Sequence, residues 1–78
     1  MSKLTINELK KGETGTIINF TGGQGLVNKL NARGIRVGKE VTIISDSFIG
    51  GPVTVQIDNA KISIGQGMAS KIIVEVEK

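Results

Sequence analysis

The sequence contains no cysteine, no histidine, no tryptophan and no tyrosine. Without cysteine the chain has neither a disulfide framework nor a thiolate nucleophile. Without histidine it lacks the usual general base, and a serine nucleophile is weak unless such a base lies beside it. We therefore predict that the chain is not an enzyme and has no catalytic residues.

The same absences bear on metals and cofactors. Imidazole and thiolate are the side chains that hold most transition metals, whereas carboxylates, carbonyls and water favour Mg²⁺ or Ca²⁺. The acidic residues show no spacing typical of a calcium-binding loop. We predict that the chain holds no resident metal ion and no cofactor.

Long apolar runs are also missing. No stretch approaches the ~20 apolar residues that a membrane-spanning helix needs, and the opening residues lack the apolar core of a signal peptide. We expect a single domain over residues 1–78, cytoplasmic and without direct membrane insertion. The net charge of +3 is mild, and the scattered basic residues indicate a solvated surface.

The apolar residues that are present favour strands. They are mostly isoleucine, valine and leucine, and β-branched side chains pack well on a pleated surface. Alternation of apolar and polar residues is clear in the segments 53–58 and 72–76. The remaining strands are predicted at 15–20, 40–45 and 61–64. In the first of these, we place Ile18 with Phe20 on one face and Ile17 with Asn19 on the other.

A short helix is predicted between the first two strands. Leu26 and Leu30 are four residues apart and share one face, and a capping box at residues 21–24 would begin the helix. Gly34 allows the left-handed conformation that ends a helix. Gly38 and Pro52 mark further structural turns, and a single helical turn is expected at 65–70. About five short antiparallel strands with this one inserted helix predict an all-β fold that closes into a small barrel.

Twelve residues, in their order and spacing, resemble the ferrous iron transport protein A (FeoA) family. They are Leu30, Gly34, Ile35, Gly38, Val41, Gly51, Pro52, Val55, Ile64, Ala69, Ile72 and Val74. The resemblance covers about residues 9–76. The same domain occurs at the C-terminus of some iron- and manganese-responsive repressors, and it implies that the barrel is SH3-like.

The resemblance also implies a function. Proteins of this family are accessory proteins of ferrous iron uptake, thought to act on the membrane permease FeoB, which carries a GTP-binding cytoplasmic domain. The implied role is docking and regulation. The family is also associated with transition metals, but this sequence contains no recognisable metal ligands.

Two groups of residues are candidates for contacting such a partner. Phe48 and Ile49 are large apolar residues in a polar stretch at the tip of a predicted hairpin, next to Gly50 and Gly51. They either fold back onto the barrel or are offered to a partner, and the family resemblance favours the partner. Two cations of the helix, Lys29 and Arg33, complete the candidate partner-binding set.

The alternative is a free-standing SH3-like barrel with a regulatory or nucleic-acid-binding role. Lys29, Arg33, Arg36 and Lys39 lie close together around the end of the helix and could contact phosphates. Single-strand binders, however, generally stack bases on aromatic side chains, of which this chain has only two phenylalanines. Cations at a helix C-terminus also stabilise the helix dipole. We therefore expect no nucleic-acid partner.

The absence of histidine and cysteine leads to a direct prediction. After dialysis, the purified protein should contain no stoichiometric iron or zinc, because it lacks the side chains that bind these ions tightly. Elemental analysis measures the metal content per chain. One tightly held transition-metal ion per chain would contradict the prediction.

Overall fold

The computed structural model describes residues 2–45 and 51–77. The strands are β1 (Ser2–Thr5), β2 (Thr14–Phe20), β3 (Glu40–Ser45), β4 (Val53–Ile57), β5 (Ala60–Ile64) and β6 (Ile72–Val76). The helices are α1 (Gln24–Ala32) and the single turn α2 (Gln66–Ala69), and a 3₁₀ turn spans Ile6–Glu8. All five predicted strands and the inserted helix are present, so the all-β prediction is confirmed. Strand β1 is additional.

The six strands form one antiparallel sheet in the order β1-β6-β2-β3-β4-β5. Within the described residues no ladder joins β5 to β1, and both are therefore edge strands. The hairpin between β4 and β5 turns at Asp58, whose φ of 57° lies in the left-handed region. A positive φ at the first central residue belongs to the turn types whose twist matches that of the flanking strands.

The core lies on one face of this sheet and is almost entirely aliphatic. Each fully buried isoleucine, leucine or valine stabilises the fold by about 1.5–3 kcal/mol relative to its exposed state. No polar or charged residue is buried in the described part of the chain. The buried residues are Ile6, Leu9, Ile17, Phe20, Leu30, Ile35, Val41, Ile43, Val53, Val55, Ile57, Ile64, Ala69, Ile72, Val74 and Val76.

Strand β2 departs from the predicted alternation. Ile17 is fully buried and Phe20 is 9% exposed, so both belong to the core. The register with β6 shifts between Ile17 and Asn19, and such a bulge reverses the face on which later residues lie. The prediction that Ile17 and Phe20 lie on opposite faces was therefore wrong.

Helix α1 begins later than the capping-box prediction required. Its N-cap is Gly23, which makes no side-chain capping bond. Gly22, with a φ of 151°, separates Thr21 from the helix. Thr21 instead donates its backbone N–H to the carbonyl of Lys71 at 2.8 Å. The threonine thus fixes the end of β2 to the start of β6, and the predicted capping box was wrong.

The end of α1 agrees with its prediction. Gly34 has a φ of 86° and donates its N–H to the carbonyl of Asn31 at 3.0 Å, while Ile35 donates to the carbonyl of Leu30 at 3.0 Å. This pair of bonds is the Schellman motif. Ile35 is completely buried, so the motif also returns the chain to the core.

The next turn is confirmed as well. Gly38 has a φ of 95° and donates its N–H to the carbonyl of Ile17 at 2.8 Å. Ile17 in turn donates to the carbonyl of Lys39 at 2.9 Å. The segment 35–39 is thereby fixed on β2 before β3 begins.

We expect Gly34→Val to destabilise the domain by more than about 1 kcal/mol. The space around the position is open, because a Cβ on Gly34 would meet no atom within 4 Å. The cost therefore arises from the left-handed backbone, which a β-branched residue adopts at high energy. Thermal or urea unfolding measures the loss.

Gly65→Val is the matched control for this measurement. Gly65 has a φ of −65° and its Cβ would also meet nothing within 4 Å. Its loss should be smaller than that of Gly34→Val. Equal losses in the two variants would contradict the helix-terminus explanation.

The 3₁₀ turn near the N-terminus is fixed by a carboxylate. Oε1 of Glu8 accepts hydrogen bonds from the backbone N–H and from the hydroxyl of Thr5, each at 2.9 Å. The backbone bond chiefly, and then the hydroxyl bond, lower the pKa of Glu8 because both favour the charged form. The turn presents Ile6 and Leu9 to the core.

Glu8→Ala should lower the melting temperature at pH 7. A lowered pKa in the folded state means that the charged glutamate stabilises the fold above the pKa of the unfolded chain, ~4.3. This contribution is lost as the pH falls through the folded value. The difference in melting temperature between wild type and variant should therefore shrink towards pH 2–3.

Glu77→Ala is the control, since Glu77 is exposed and accepts no hydrogen bond within the described residues. It removes one acidic charge without touching the turn. A Glu8→Ala effect that stays constant from pH 7 to strongly acidic pH would show that the carboxylate bonds do not stabilise the fold.

Candidate functional site

The two candidate cations lie on one face of α1. Lys29 and Arg33 are four residues apart, which places them as neighbours on the helix surface, and both are exposed. Arg33 is the C-cap residue of α1, so the Schellman motif at Gly34 sets its position.

Arg33 reaches across to the last strand of the sheet order. Its guanidinium Nη2 donates to the backbone carbonyl of Ser63 in β5 at 2.9 Å. This contact links residues that are 30 positions apart in the sequence. It attaches the end of α1 to an edge strand.

The second candidate group lies only in part within the described residues. Phe48, Ile49 and Gly50 fall outside them, whereas Gly51 is half-buried and Pro52 is exposed. The carbonyl of Gly51 accepts a hydrogen bond from Nε2 of Gln66 at 3.1 Å. The base of the β3–β4 loop is therefore held by α2.

The structure brings the helix cation Arg33 and the loop-base residue Gly51 to one region of the surface. Arg33 bonds to Ser63, and Gly51 is bonded to Gln66, three residues further along the chain. The β4–β5 pairing also places Val53 opposite Ile64. The segment 63–66 thus lies between the helix cations and the base of the loop.

Gln66 and Ser63 were not identified from the sequence. Ser63 contributes a backbone carbonyl, which carries no residue-type signal. Gln66 lies in a short polar segment between glycines, and only its placement opposite Gly51 gives it a role.

The two remaining cations of the predicted basic group have partners within the chain. Nζ of Lys39 forms an ion pair with the carboxylate of Asp58 at 3.0 Å, and Nε of Arg36 donates to the carbonyl of Asn31 at 3.3 Å. The four cations therefore do not form one unpaired stripe of the kind that follows a nucleic-acid backbone.

Two surface depressions have volumes of about 380 Å³ and about 450 Å³. The first lies between β2, β3 and β6 and includes Glu40, Glu75 and Glu77. The second lies beside the Lys39–Asp58 ion pair. Both have mainly polar linings, whereas small-molecule sites are mostly apolar and enclosed.

Metal-ligand geometry is absent from the described part of the chain. No group of three or more acidic residues lies close enough together there to hold a metal ion. No helix in the same residues is long and apolar enough to cross a membrane.

The fold and the surface together define a class of protein. It is a small SH3-like domain with an inserted helix and with shallow, polar surface depressions. A crystal structure of an iron uptake regulatory protein (FeoA) has a TM-score of 0.88 with this chain at 23% identity, covering 95% of this chain and 97% of the other. A manganese-dependent transcriptional repressor has a TM-score of 0.87 at 20% identity, over 96% of this chain and 42% of the repressor. At these identities the likeness establishes the fold.

The sequence establishes the family. The FeoA domain model matches residues 4–76. A protein from Methanocaldococcus jannaschii named as an Fe(2+) transport protein A is 33% identical over 66 residues, which are 85% of this chain and 78% of the relative. The chain belongs to the FeoA family, and the family resemblance predicted from the sequence is confirmed.

Proposed function

We propose that this chain is a non-enzymatic, cytoplasmic accessory protein of ferrous iron uptake that docks on the cytoplasmic region of the GTPase-containing permease FeoB. The observation that carries this proposal is the FeoA family match over residues 4–76. The family implies a role in ferrous iron transport, and the Methanocaldococcus jannaschii relative is named for it.

The described surface supports docking over catalysis. The depressions are shallow and polar, and the chain has no histidine or cysteine to supply a general base or a thiolate nucleophile. The proposed contact surface combines Phe48, Ile49, Gly50 and Gly51 of the loop with the helix cations Lys29 and Arg33.

The position of the loop base supports this choice of surface. Gln66 fixes the carbonyl of Gly51, and Arg33 lies on the same segment 63–66 of the chain. A partner contacting the base of the loop would therefore also meet Arg33 of α1. Apolar anchors would supply most of the binding energy and the cations would accelerate encounter.

The nucleic-acid alternative receives no comparable support. Lys39 and Arg36, which it required, are engaged within the chain. The second depression, which lies beside Lys39, also contains the carboxylate of Asp58. A phosphate backbone would meet this negative charge.

The double substitution Phe48→Ser/Ile49→Ser tests the docking surface. Binding to the permease's cytoplasmic region should weaken by about thirtyfold, which corresponds to the loss of ~2 kcal/mol from a buried apolar anchor. The melting temperature should change little, since residues that contact a partner contribute little to the stability of the free protein. Calorimetric titration and a thermal melt provide the two measurements.

Lys29→Glu/Arg33→Glu is the companion variant and should mainly slow association at low salt. Lys3→Glu/Lys71→Glu makes the same charge change at two exposed lysines of the remaining surface and is the matched control. Unchanged binding in both the loop variant and the helix variant would exclude this surface. A large loss of stability in the loop variant would show that Phe48 and Ile49 belong to the core.

A further inference from the structure

Within residues 2–45 and 51–77, strand β5 is paired on one side only. It is the last strand of the sheet order, and its only neighbour within the described residues is β4. The hairpin closes with Ile57 opposite Ala60, on either side of the two-residue turn. In an antiparallel ladder the backbone groups of alternate residues point to the partner strand. Those of Lys61 and Ser63 therefore point away from β4.

The contact with Arg33 agrees with this alternation. The carbonyl of Ser63 accepts a hydrogen bond from Nη2 of Arg33 at 2.9 Å, as expected of a carbonyl that is not paired with β4. An unpaired edge of this kind is a template for another strand, and proteins commonly block it with a charged side chain. Arg33 is hydrogen-bonded to the Ser63 carbonyl, which is one of the acceptors on the open edge, and it thus obstructs the pairing of another strand there.

Cations are in excess around this edge, because Asp58, the acidic residue of the β4–β5 turn, is paired with Lys39. Lys29, Arg33 and Lys61 are exposed, and none of them forms an ion pair within the described residues. Three acidic residues, Glu40, Glu75 and Glu77, line instead the depression between β2, β3 and β6. The edge of β5 is therefore complementary to an acidic segment.

We propose that the outer edge of β5 binds an acidic, extended segment of a partner protein as an added strand. A carboxylate of the segment draws the Arg33 guanidinium from the Ser63 carbonyl, because a hydrogen bond to an ionised acceptor is stronger than one to a neutral carbonyl. The freed carbonyl and the outward N–H groups of Lys61 and Ser63 then pair with the segment. The inference goes beyond the proposed function, since it concerns a mode of binding and holds whether or not the partner is the permease.

A capped heptapeptide, acetyl-Thr-Val-Glu-Val-Glu-Val-Thr-amide, is the probe. Its glutamates lie on one face of an extended strand and its valines on the other. In a titration followed by NMR of the ¹⁵N-labelled protein, the amide signals of Lys61 and Ser63 should shift and saturate. The same peptide with lysine in place of glutamate should bind at least about fivefold more weakly, as expected for the loss of one exposed ion pair.

Two substitutions distinguish the contribution of the open strand edge to binding from the contribution of the positive charge. Ser63→Pro removes one outward N–H without removing a hydrogen bond to β4. Proline is tolerated in an edge strand where its nitrogen faces the open side. This substitution should abolish binding of the acidic peptide. Lys61→Glu should weaken binding of the acidic peptide by about fivefold. Lys3→Glu, the same change on the other edge strand β1, should leave it unaltered.

Arg33→Ala tests the exchange of partners. In this variant the Ser63 carbonyl is already free, so the preference for the acidic peptide over its threonine-for-glutamate analogue should be smaller than in the wild type, and only the share supplied by Lys29 and Lys61 should remain. The proposal is overturned if millimolar peptide leaves the Lys61 and Ser63 amides unshifted, if the lysine peptide binds as tightly as the acidic one, or if Arg33→Ala keeps the full acidic preference of the wild type. Shifts of the same amides with protein concentration alone would assign the edge to a second copy of the chain and would also overturn it.

Discussion

The reversal of the chain at Gly34 is the constraint on which most of this structure depends. The left-handed glycine lets Ile35 bond back to Leu30 and enter the core. It also directs Arg33 to β5, and the turn that follows attaches to β2 through Ile17. In a chain of 78 residues with an aliphatic core, one such reversal contributes to packing, to strand order and to the surface at the same time.

This arrangement separates the residues that form the core from the residues that determine the chemistry of the surface. The inner faces of the sheet and of α1 consist almost entirely of aliphatic residues, with no buried polar residue in the described part. The surface chemistry is supplied by residues at the ends of elements: Arg33 at a helix C-cap, Gly51 at the base of a loop and Gln66 in a single helical turn. Such positions can change without disturbing the core, which suits a family whose fold also forms part of larger repressors.

Much of the fold was predictable from local patterns, because alternation and glycine punctuation act over a few residues. The strands 53–57 and 72–76 and the end of α1 are examples. The bulge in β2 was not, since it depends on pairing with β6, and neither was the role of Thr21, which bonds to Lys71 fifty residues away. The candidate site could be predicted from the sequence only as separate groups of residues. The segment 63–66, which contacts Arg33 and Gly51, is brought to them by strand pairing and by hydrogen bonds to backbone carbonyls.

The hydrogen bond between Gln66 and Gly51 has a consequence for sequence variation in this family. It fixes the point at which the β3–β4 connection enters β4, while the β4–β5 register fixes the strand itself. A change in the length of the connection between β3 and this anchor would therefore alter the entropy of closing the connection, which becomes only slowly less favourable with length. The register of β4 with β5 would stay the same, because it is fixed beyond the anchor.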